Sequence, residues 1–531
     1  MDEGGAEFYQ IYRFDLETGR HEMLTDGKSR NQPGAFDNQG NRIAFSSNRR
    51  NGRDFDIHIM DAGKPGTAEL VYQDRGWWTV QNWSPDDQSL LISHYVSANE
   101  SSLHILDLRT RRIRPLLAAE TGPASDGPAM WSRDGKGVYL VSDRESEFRR
   151  LWYLDLASGK LSALTAHVPW DVESFDLTRD GSLLLFTANE DGISRAHLVN
   201  TATGRELPQP ALPAGQITRI AFHPRLKEFG FSCVSARSPA DSYSYNWETG
   251  KLTRWTSSEA GGLNPERFPA TDLIRYPTFD QVAGRPRMIP AFVTRPPGRF
   301  KPPYPVVVSI HGGPEGQARP GLNSSYFLNE MGIALIHPNV RGSAGYGKSY
   351  LKLDNAMLRE DSVKDIGALL DWIETQRDLD SKRVAVMGGS YGGYMTLASL
   401  THYSSRLRCG IDVVGISNWA TFLSNTSGYR QDLRRAEYGD ERDPRMRDFF
   451  ETISPLNNAA KIKVPLLVVQ GRNDPRVPES ESRQMVAKVR ENGGTVWFVT
   501  ALDEGHGFSR KANRDYQTWV EILFLEKYLL P

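Results

Sequence analysis

The chain has 531 residues, and 64 Lys and Arg against 65 Asp and Glu leave a formal net charge of −1. This balance, with both signs interspersed, lacks the basic footprint of a protein that binds nucleic acid or an anionic membrane surface. No apolar run approaches the roughly 20 residues that span a bilayer, and two cysteines are too few for a disulfide framework or a four-ligand metal site. The composition predicts a globular protein without a metal site.

The first half of the sequence repeats with a period of about 46 residues. Short alternating strands end in turns that start with Asp or Asn, at Asp15, Asp61, Asp107, Asp155, Asn200 and Asn246. Half a period away, a second set of turns leads into β-rich runs, at Phe36, Trp83, Trp131, Leu177 and Phe222. Four short strands in about 45 residues is the period of a β-propeller blade. The even spacing argues against the alternative, a β-sandwich.

The repeats begin in the middle of a blade. Six turns of the first kind are present but only five of the second, so we expect residues upstream of Met1 to complete the first blade. Residues 1–5 lack the basic and apolar regions of a signal peptide, which predicts a cytoplasmic protein. An exposed blade edge could pair with another chain, which leaves a homo-oligomer open.

The periodicity ends near Ser257–Leu263, a stretch of small residues suited to a linker. Beyond it we predict strands at Tyr304–Ile310, Gly332–Ile336, Arg383–Met387, Ile411–Val414, Pro465–Val469 and Val496–Val499. We predict helices at Ser362–Ile373, Tyr394–His402, Glu479–Val489 and Tyr516–Leu529. This alternation is typical of an α/β domain with a mostly parallel sheet. The predicted domains are a β-propeller over residues 1–262 and an α/β domain over residues 263–531.

A glycine-rich loop, His311–Pro314, follows the first of these strands. Glycines let a backbone approach a substrate closely, and loops of the H-G-G type donate a backbone N–H to the oxyanion in α/β-hydrolases. We assign this donor to the N–H of Gly313; an ordinary tight turn is the alternative.

The segment Gly342–Ser349 matches the phosphate-binding pattern G-x-x-x-x-G-K-[ST]. A phosphate cradle requires the loop to leave a strand directly and to enter a helix, whereas residues 338–341 intervene here. The residues after Ser349 show no clear amphipathic pattern, and no convincing strand ends in a magnesium-binding Asp. An NTPase is therefore disfavoured.

The segment Gly388–Gly393 contains G-x-S-x-G between a predicted strand and a predicted helix. Small residues beside the serine permit the strained turn of a nucleophile elbow, which projects the hydroxyl of Ser390 above the sheet. The N–H of the next residue, Tyr391, would be the first oxyanion donor. The context of this motif predicts a catalytic serine.

A nucleophilic serine needs a general base that is oriented by an acid. In α/β-hydrolases the order along the chain is Ser, Asp, His. Asp474 and His506 each follow a predicted strand, 84 and 32 residues further along the chain. Taken alone, Asp474 could be a turn residue and His506 a surface histidine. The order Ser390, Asp474, His506 along the chain predicts a triad.

Several motifs of the second half together resemble the prolyl oligopeptidase family of serine peptidases, and within it the acylaminoacyl peptidase-like branch. They are H-G-G-P at 311–314, N-x-R-G-S-x-G-Y-G at 339–347, G-G-S-Y-G-G-Y-M at 388–395, N-D-x-R-V-P at 473–478 and G-H-G-F at 505–508. The resemblance covers the second half almost end to end. It implies an N-terminal β-propeller, here incomplete at its N-terminus, followed by a C-terminal α/β-hydrolase domain.

The resemblance also implies roles for single residues. Carried over by position, the triad is Ser390, Asp474 and His506, and the oxyanion hole is Gly313 and Tyr391. Arg476 would contact a carbonyl of the substrate backbone, or else form a salt bridge that fixes its loop. The propeller, usually of seven blades against five and a half here, would restrict access to short peptides. The paired glutamates by which dipeptidyl peptidases of the family grip an amino terminus lack their usual context, and Glu145 and Glu147 are not assigned that role.

The sequence therefore predicts a serine peptidase that hydrolyses short or N-acylated peptides through an acyl-enzyme, without metal or organic cofactor. A carboxylesterase would use the same triad, since ester and amide cleavage share the intermediate. A propeller-based interaction protein with a vestigial hydrolase domain is the alternative from another class, and the complete triad disfavours it. Residue preference around the cleaved bond and exo- or endo-cleavage are left open.

Overall fold

The computed structural model describes residues 2–118, 122–322 and 325–531. Small antiparallel sheets fill the first half of the chain, and one large sheet flanked by helices fills the second. This arrangement confirms the predicted fold class, a β-propeller followed by an α/β-hydrolase domain. Among the described residues, no helix is long and apolar enough to cross a membrane.

The propeller starts with a two-stranded sheet, β1 (Tyr12–Phe14) and β2 (His21–Met23). The next two sheets contain β3 (Asn31–Phe36), β4 (Arg42–Ser47), β5 (Asp56–Asp61) and β6 (Glu69–Tyr72), then β7 (Trp77–Trp83), β8 (Ser89–Ser97), β9 (Glu100–Asp107) and β10 (Arg112–Pro115). The last three contain β11 (Asp126–Trp131), β12 (Gly137–Ser142), β13 (Arg150–Asp155) and β14 (Leu161–Ala163), then β15 (Val172–Leu177), β16 (Leu183–Glu190) and β17 (Ile193–Asn200), then β18 (Gln216–Phe222), β19 (Glu228–Ser235), β20 (Ser238–Asn246) and β21 (Leu252–Arg254).

The repeated aspartates shape the outer turns of the blades. The Asp155 carboxylate accepts a hydrogen bond from the N–H of Ser158 at 2.7 Å, and Asp107 accepts one from Thr110 at 2.7 Å. Such a turn needs left-handed backbone four residues after the aspartate, which glycine adopts without strain. Gly159 has a φ of 70°, and Arg111 takes the same place with a φ of 57°. The repeat therefore persists where the sequence lacks the glycine.

The hydrolase domain is built on an eight-stranded sheet in the order β22-β23-β25-β24-β26-β27-β28-β29. Its strands are β22 (Thr271–Val282), β23 (Arg285–Thr294), β24 (Tyr304–Ile310), β25 (Ala334–Pro338), β26 (Leu379–Gly389), β27 (Cys409–Val413), β28 (Leu466–Gly471) and β29 (Val496–Ala501). The strands from β24 onward are parallel to one another, and β22 and β23 form an antiparallel hairpin at one edge.

Helices cover both faces of this sheet. The α-helices are α1 (Ser325–Asn329), α2 (Lys348–Leu351), α3 (Arg359–Thr375), α4 (Tyr391–Tyr403), α5 (Trp419–Asn425), α6 (Gly428–Tyr438), α7 (Pro444–Ile453), α8 (Glu479–Glu491) and α9 (Lys511–Tyr528), and short 3₁₀ turns lie at Pro265–Arg267, Ala356–Leu358, Ser404–Arg406 and Ala459–Lys461. In β24, Val306 and Val308 pack in the core that contains α3 and α4, while Val307 packs on the opposite face against α9. Successive side chains of a strand point to opposite faces, so the unbroken valine run marks a strand buried on both sides.

The two halves of the chain touch through α6 and through the loop after β24. The ring of Tyr429 packs against Phe55 and Trp77, with ring centroids 6.0 and 5.9 Å apart. Arg319 pairs with Glu173 at 2.5 Å. Between the two halves lies a cavity of about 790 Å³. The small sheets end at β21 and the large sheet begins at β22, and we propose the domain boundary at 262/263, between them.

Candidate active site

Ser390 occupies the turn between β26 and α4. Its φ of 59° and ψ of −119° are a strained conformation for a residue with a side chain. A Cβ on Gly392 would come within 2.1 Å of the carbonyl oxygen of Ile310, so the turn can form only with glycine there. The G-x-S-x-G pattern thus has the geometry of a nucleophile elbow.

Asp474 and His506 lie together at the ends of β28 and β29. The Nδ1 atom of His506 is 2.7 Å from Oδ2 of Asp474. The N–H groups of Arg476 and Val477 donate to Oδ1 of Asp474 at 2.8 and 3.0 Å, and Gln470 donates to Oδ2 at 3.3 Å. Because an ionised carboxylate only accepts hydrogen bonds, Nδ1 carries the proton and the Nε2 lone pair is left for a substrate proton.

The link from the serine to the imidazole is not formed in this structure. Within the described residues, no hydrogen bond joins Oγ of Ser390 to Nε2 of His506. Catalytic hydrogen bonds are often long or poorly aligned without substrate and tighten when it binds. The acid–base pair is thus assembled, and the third contact of the predicted triad stays a prediction.

The H-G-G loop runs beside the nucleophile. A Cβ on Gly312 would lie 3.3 Å from Cβ of Ser390. The Tyr438 hydroxyl donates to the carbonyl oxygen of Gly313 at 2.6 Å and holds this loop in place. Tyr391 is the first residue of α4, so its N–H has no acceptor within the helix. Tyr391 thus adjoins Ser390 in the chain and the H-G-G loop adjoins it in space through Gly312, and the assignment of the Gly313 and Tyr391 N–H groups as oxyanion donors stays a prediction.

A buried ionic network lies under Tyr391, and the sequence analysis missed it. Arg359 pairs with Asp354 at 2.5 Å, and both side chains are fully buried. The Tyr391 hydroxyl donates to Asp354 at 3.2 Å and lies 2.9 Å from the hydroxyl of Ser362. Burial raises the pKa of Asp354 to about 6, against the attraction of Arg359. The network fixes the ring of the residue that follows the nucleophile.

The N-terminal segment packs on the loop that carries Asp474. The Nε of Arg476 donates to Oε1 of Glu7 at 2.5 Å, and Arg30 donates to Oε2 at 2.6 Å. The side chain of Asn473 donates to the carbonyl oxygen of Gly4 at 2.8 Å. Arg476 is thus engaged by a carboxylate of the chain itself, which is the salt-bridge alternative considered for this residue. Its predicted contact with substrate stays a prediction.

The loop that contains His506 depends on a second residue that the sequence analysis missed. Glu504, which is fully buried, accepts hydrogen bonds from the N–H groups of Ser509 and Arg510 at 2.9 and 2.8 Å and from the side chain of Asn513 at 2.9 Å. These contacts fix the turn that contains His506. The signal in the sequence was slight, an acidic residue two positions before the histidine.

The phosphate-loop pattern has a structural explanation. The Lys348 ammonium donates to the carbonyl oxygen of Asp143 at 2.9 Å, and the Ser349 hydroxyl donates to Glu147 at 2.8 Å. The helix that follows, α2, has four residues. The segment therefore joins the hydrolase domain to the propeller, and Glu147 is committed to this contact.

Comparison with known proteins agrees with this geometry. Residues 322–530 match the sequence model of the prolyl oligopeptidase family. The chain is 28% identical to dipeptidyl aminopeptidase BIII of Pseudoxanthomonas mexicana, over 96% of its own length and 75% of that protein. These matches confirm the predicted resemblance to the prolyl oligopeptidase family.

Other proteins that are similar to this chain are named for different substrates. It is 27% identical to acylamino-acid-releasing enzyme 2 of Oryza sativa subsp. japonica over 42% of the chain, which spans 30% of that protein. A puromycin-hydrolyzing peptidase of Mycobacterium tuberculosis has the same fold, with a TM-score of 0.85, 20% identity and coverage of 98% of this chain and 83% of that one. The protein is thus a hydrolase of the serine peptidase class.

Proposed function

We propose that the protein hydrolyses peptide bonds in short peptides, with Ser390 as nucleophile, His506 as general base and Asp474 as the group that orients the imidazole. The observation that carries the proposal is the 2.7 Å contact between His506 and Asp474, at the same edge of the sheet as the strained elbow of Ser390. The carboxyl ends of parallel strands meet at that edge, where α/β enzymes place their catalytic groups.

The proposed reaction proceeds through an acyl-enzyme. Nε2 of His506 takes the proton of Ser390 as Oγ attacks the carbonyl carbon, and the resulting oxyanion accepts hydrogen bonds from the N–H groups of Gly313 and Tyr391. The imidazolium then gives its proton to the leaving amine as the C–N bond breaks. Water, deprotonated by His506, hydrolyses the ester and restores the serine. Each oxyanion donor would contribute about 10²–10³-fold to kcat.

The restriction to short peptides follows from the position of the propeller. The cavity of about 790 Å³ is lined by residues of both halves, such as Trp77 and Asp171 from the propeller and Arg434 and Lys348 from the hydrolase domain. A substrate that reaches Ser390 through this space must enter as a short or extended chain. One relative is named for the release of dipeptides and another for the release of acylamino acids. The amino terminus of the substrate can therefore be free or acylated in this proposal.

A mixture of short peptides with free, acetylated or amidated ends, digested and read by mass spectrometry, tests this function. We expect cleavage by the wild-type protein and a loss of roughly 10⁵–10⁶-fold in kcat for Ser390→Ala, as for other triad serines. Ser405→Ala, an exposed serine just after α4, is the matched control and keeps full activity. Peptide cleavage that survives Ser390→Ala would rule out the proposed nucleophile.

Aryl esters assayed in parallel separate a peptidase from a carboxylesterase. Both reactions need the same three side chains, so Ser390→Ala abolishes either. A peptidase cleaves peptide amides as well as the ester, with His506 protonating the leaving amine. Cleavage of esters without measurable cleavage of any peptide amide would identify a carboxylesterase.

A further inference from the structure

Arg430 of α6 is a half-buried cation whose side chain has no hydrogen-bond or ion-pair partner among the described residues. Its side chain lines the cavity between the two halves of the chain. Within the described residues it makes no hydrogen bond or ion pair, and its Nε atom is buried with no acceptor. Burying a charge is costly unless an opposite charge or hydrogen-bond acceptors compensate. A guanidinium that is kept in such a place therefore points to a ligand that supplies the acceptors.

Two nearby arginines, Arg434 and Arg476, are neutralised by carboxylates. Arg434, one turn further along α6, contacts Glu315 at 3.3 Å and Glu437 at 3.1 Å. Arg476 contacts Glu7. Burial lowers the pKa of Arg430 to about 10, and the like charge of Arg434 adds to this effect. Arg430 is thus charged at neutral pH and stands apart from its neighbours in having no counter-ion.

Helix α6 carries Arg430 close to the proposed catalytic groups. Next to the start of α6, the N–H of Ser427 donates to the carbonyl oxygen of Pro475 at 3.1 Å, and the hydroxyl of Thr426 donates to that of Arg476 at 2.7 Å. The Arg434 contact with Glu315 ties the same helix to the loop that carries Gly313. Arg430 therefore lies on the cavity wall between the Asp474 loop and the H-G-G loop.

We propose that Arg430 binds a carboxylate of the peptide substrate, either its terminal α-carboxylate or an acidic side chain close to the cleaved bond. A guanidinium offers parallel N–H donors that match the two oxygens of a carboxylate. The inference rests on the proposed function, since it assigns the substrate class to the same site. It predicts a preference for peptides that bring a negative charge into the cavity.

The test compares Arg430→Gln with the wild-type protein on matched peptides of one sequence. One arm replaces the terminal carboxylate by an amide, and the other replaces Glu by Gln on each side of the cleaved bond. Hydrogen bonds to charged groups are worth about 10- to 100-fold in binding, so we expect Arg430→Gln to lower kcat/KM by that factor on the charged peptide and by less than about 2-fold on its neutral partner. Arg490→Gln, at an exposed position of α8, is the control and changes neither.

The two arms distinguish the source of the carboxylate. If Arg430 binds the terminal carboxylate, replacing that group by an amide lowers kcat/KM as much as Arg430→Gln does; if it binds a side chain, replacing Glu by Gln has this effect. Equal losses on charged and neutral peptides, or no loss on either, would overturn the inference while the wild-type protein still cleaves peptides. If the wild-type protein cleaves none, the proposed function fails, and titration of the same peptides into the Ser390→Ala protein still decides the inference. Binding that is tighter for the charged peptide, and is weakened by adding Arg430→Gln, supports it; equal binding contradicts it.

Discussion

Glu7 is held in an uncommon backbone conformation by two arginines. Its φ is 59°, a region that residues with a side chain rarely occupy. Arg30 and Arg476 bind its two carboxylate oxygens, and the side chain is almost completely buried. Burial acts to raise the pKa of Glu7, but the two arginines outweigh it and hold the pKa below its usual range. Glu7 thus acts as a clamp on the loop that carries Asp474.

We predict that Glu7→Gln lowers the free energy of unfolding at pH 7 by about 1–3 kcal/mol, since a neutral amide leaves the buried guanidinium of Arg30 and the partly exposed one of Arg476 poorly paired. A carboxylate whose folded pKa is lowered stabilises the protein above its unfolded pKa, near 4.5, and loses that effect as the pH falls through the folded value. The difference in Tm between wild type and variant should therefore be full at neutral pH and shrink below about pH 4. Glu17→Gln, at an exposed turn, should show no difference.

Asp412, at the end of β27, should show the opposite pH dependence. Burial raises the pKa of Asp412 to about 7, and the nearby Glu481 adds to the effect. Because the folded pKa lies above the unfolded value of 3.8, this group destabilises the protein progressively as the pH rises from about 4 to 7. We predict that Asp412→Asn removes this decline. Thermal unfolding between pH 5 and pH 8 should give a Tm difference that grows in favour of the variant, and parallel curves would contradict the prediction.

At the scale of elements, α6 connects the active site to the propeller. The residue Thr426, just before its start, touches the Asp474 loop. Its last turn touches the H-G-G loop through Tyr438, and its outer face meets the propeller through Tyr429 and Asp432. Asp432 pairs with Arg53 at 2.6 Å. A helix with this many polar contacts depends on its neighbours rather than on an apolar stripe of its own.

We predict that Tyr429→Ala frees α6 from the propeller, because it removes the ring that packs against Phe55 and Trp77. The loss of a buried aromatic side chain costs about 3–5 kcal/mol, and hydrogen exchange of the α6 amides should accelerate. The kcat/KM for peptides should fall, since Arg430 and Arg434 lose their fixed positions. Tyr429→Phe keeps the ring and should retain slow exchange; fast exchange in both variants would contradict this role of the ring.

The sequence was sufficient for elements with a strong local signal and insufficient for contacts between distant segments. The valine run of β24 predicted its strand because both faces are buried. Motifs at the ends of strands predicted a triad, of which the structure shows the contact between His506 and Asp474. The hairpin of β22 and β23 was missed because prolines and charged residues at a sheet edge mask the alternation. The pair between Glu7 and Arg476 joins residues 469 positions apart, and such a contact leaves no periodic pattern in the sequence.

At the scale of the whole molecule, the propeller and the hydrolase domain enclose a cavity of about 790 Å³. Polar contacts join them at several separate places, among them Arg319 with Glu173, Lys348 with Asp143 and Asp432 with Arg53. Interfaces built of such contacts allow relative domain motion more readily than large apolar ones. Among the described residues, Ser390 and His506 share no hydrogen bond. Catalytic hydrogen bonds of this kind often tighten only when substrate binds.

The most direct test of the account is reaction with a fluorophosphonate, followed by peptide mapping of the adduct by mass spectrometry. The account predicts a single adduct on the peptide that contains Ser390, no adduct in Ser390→Ala, and a labelling rate at least about 10³-fold lower in His506→Gln, because the serine loses its base. An adduct on any other residue, or a labelling rate unchanged by His506→Gln, would contradict it.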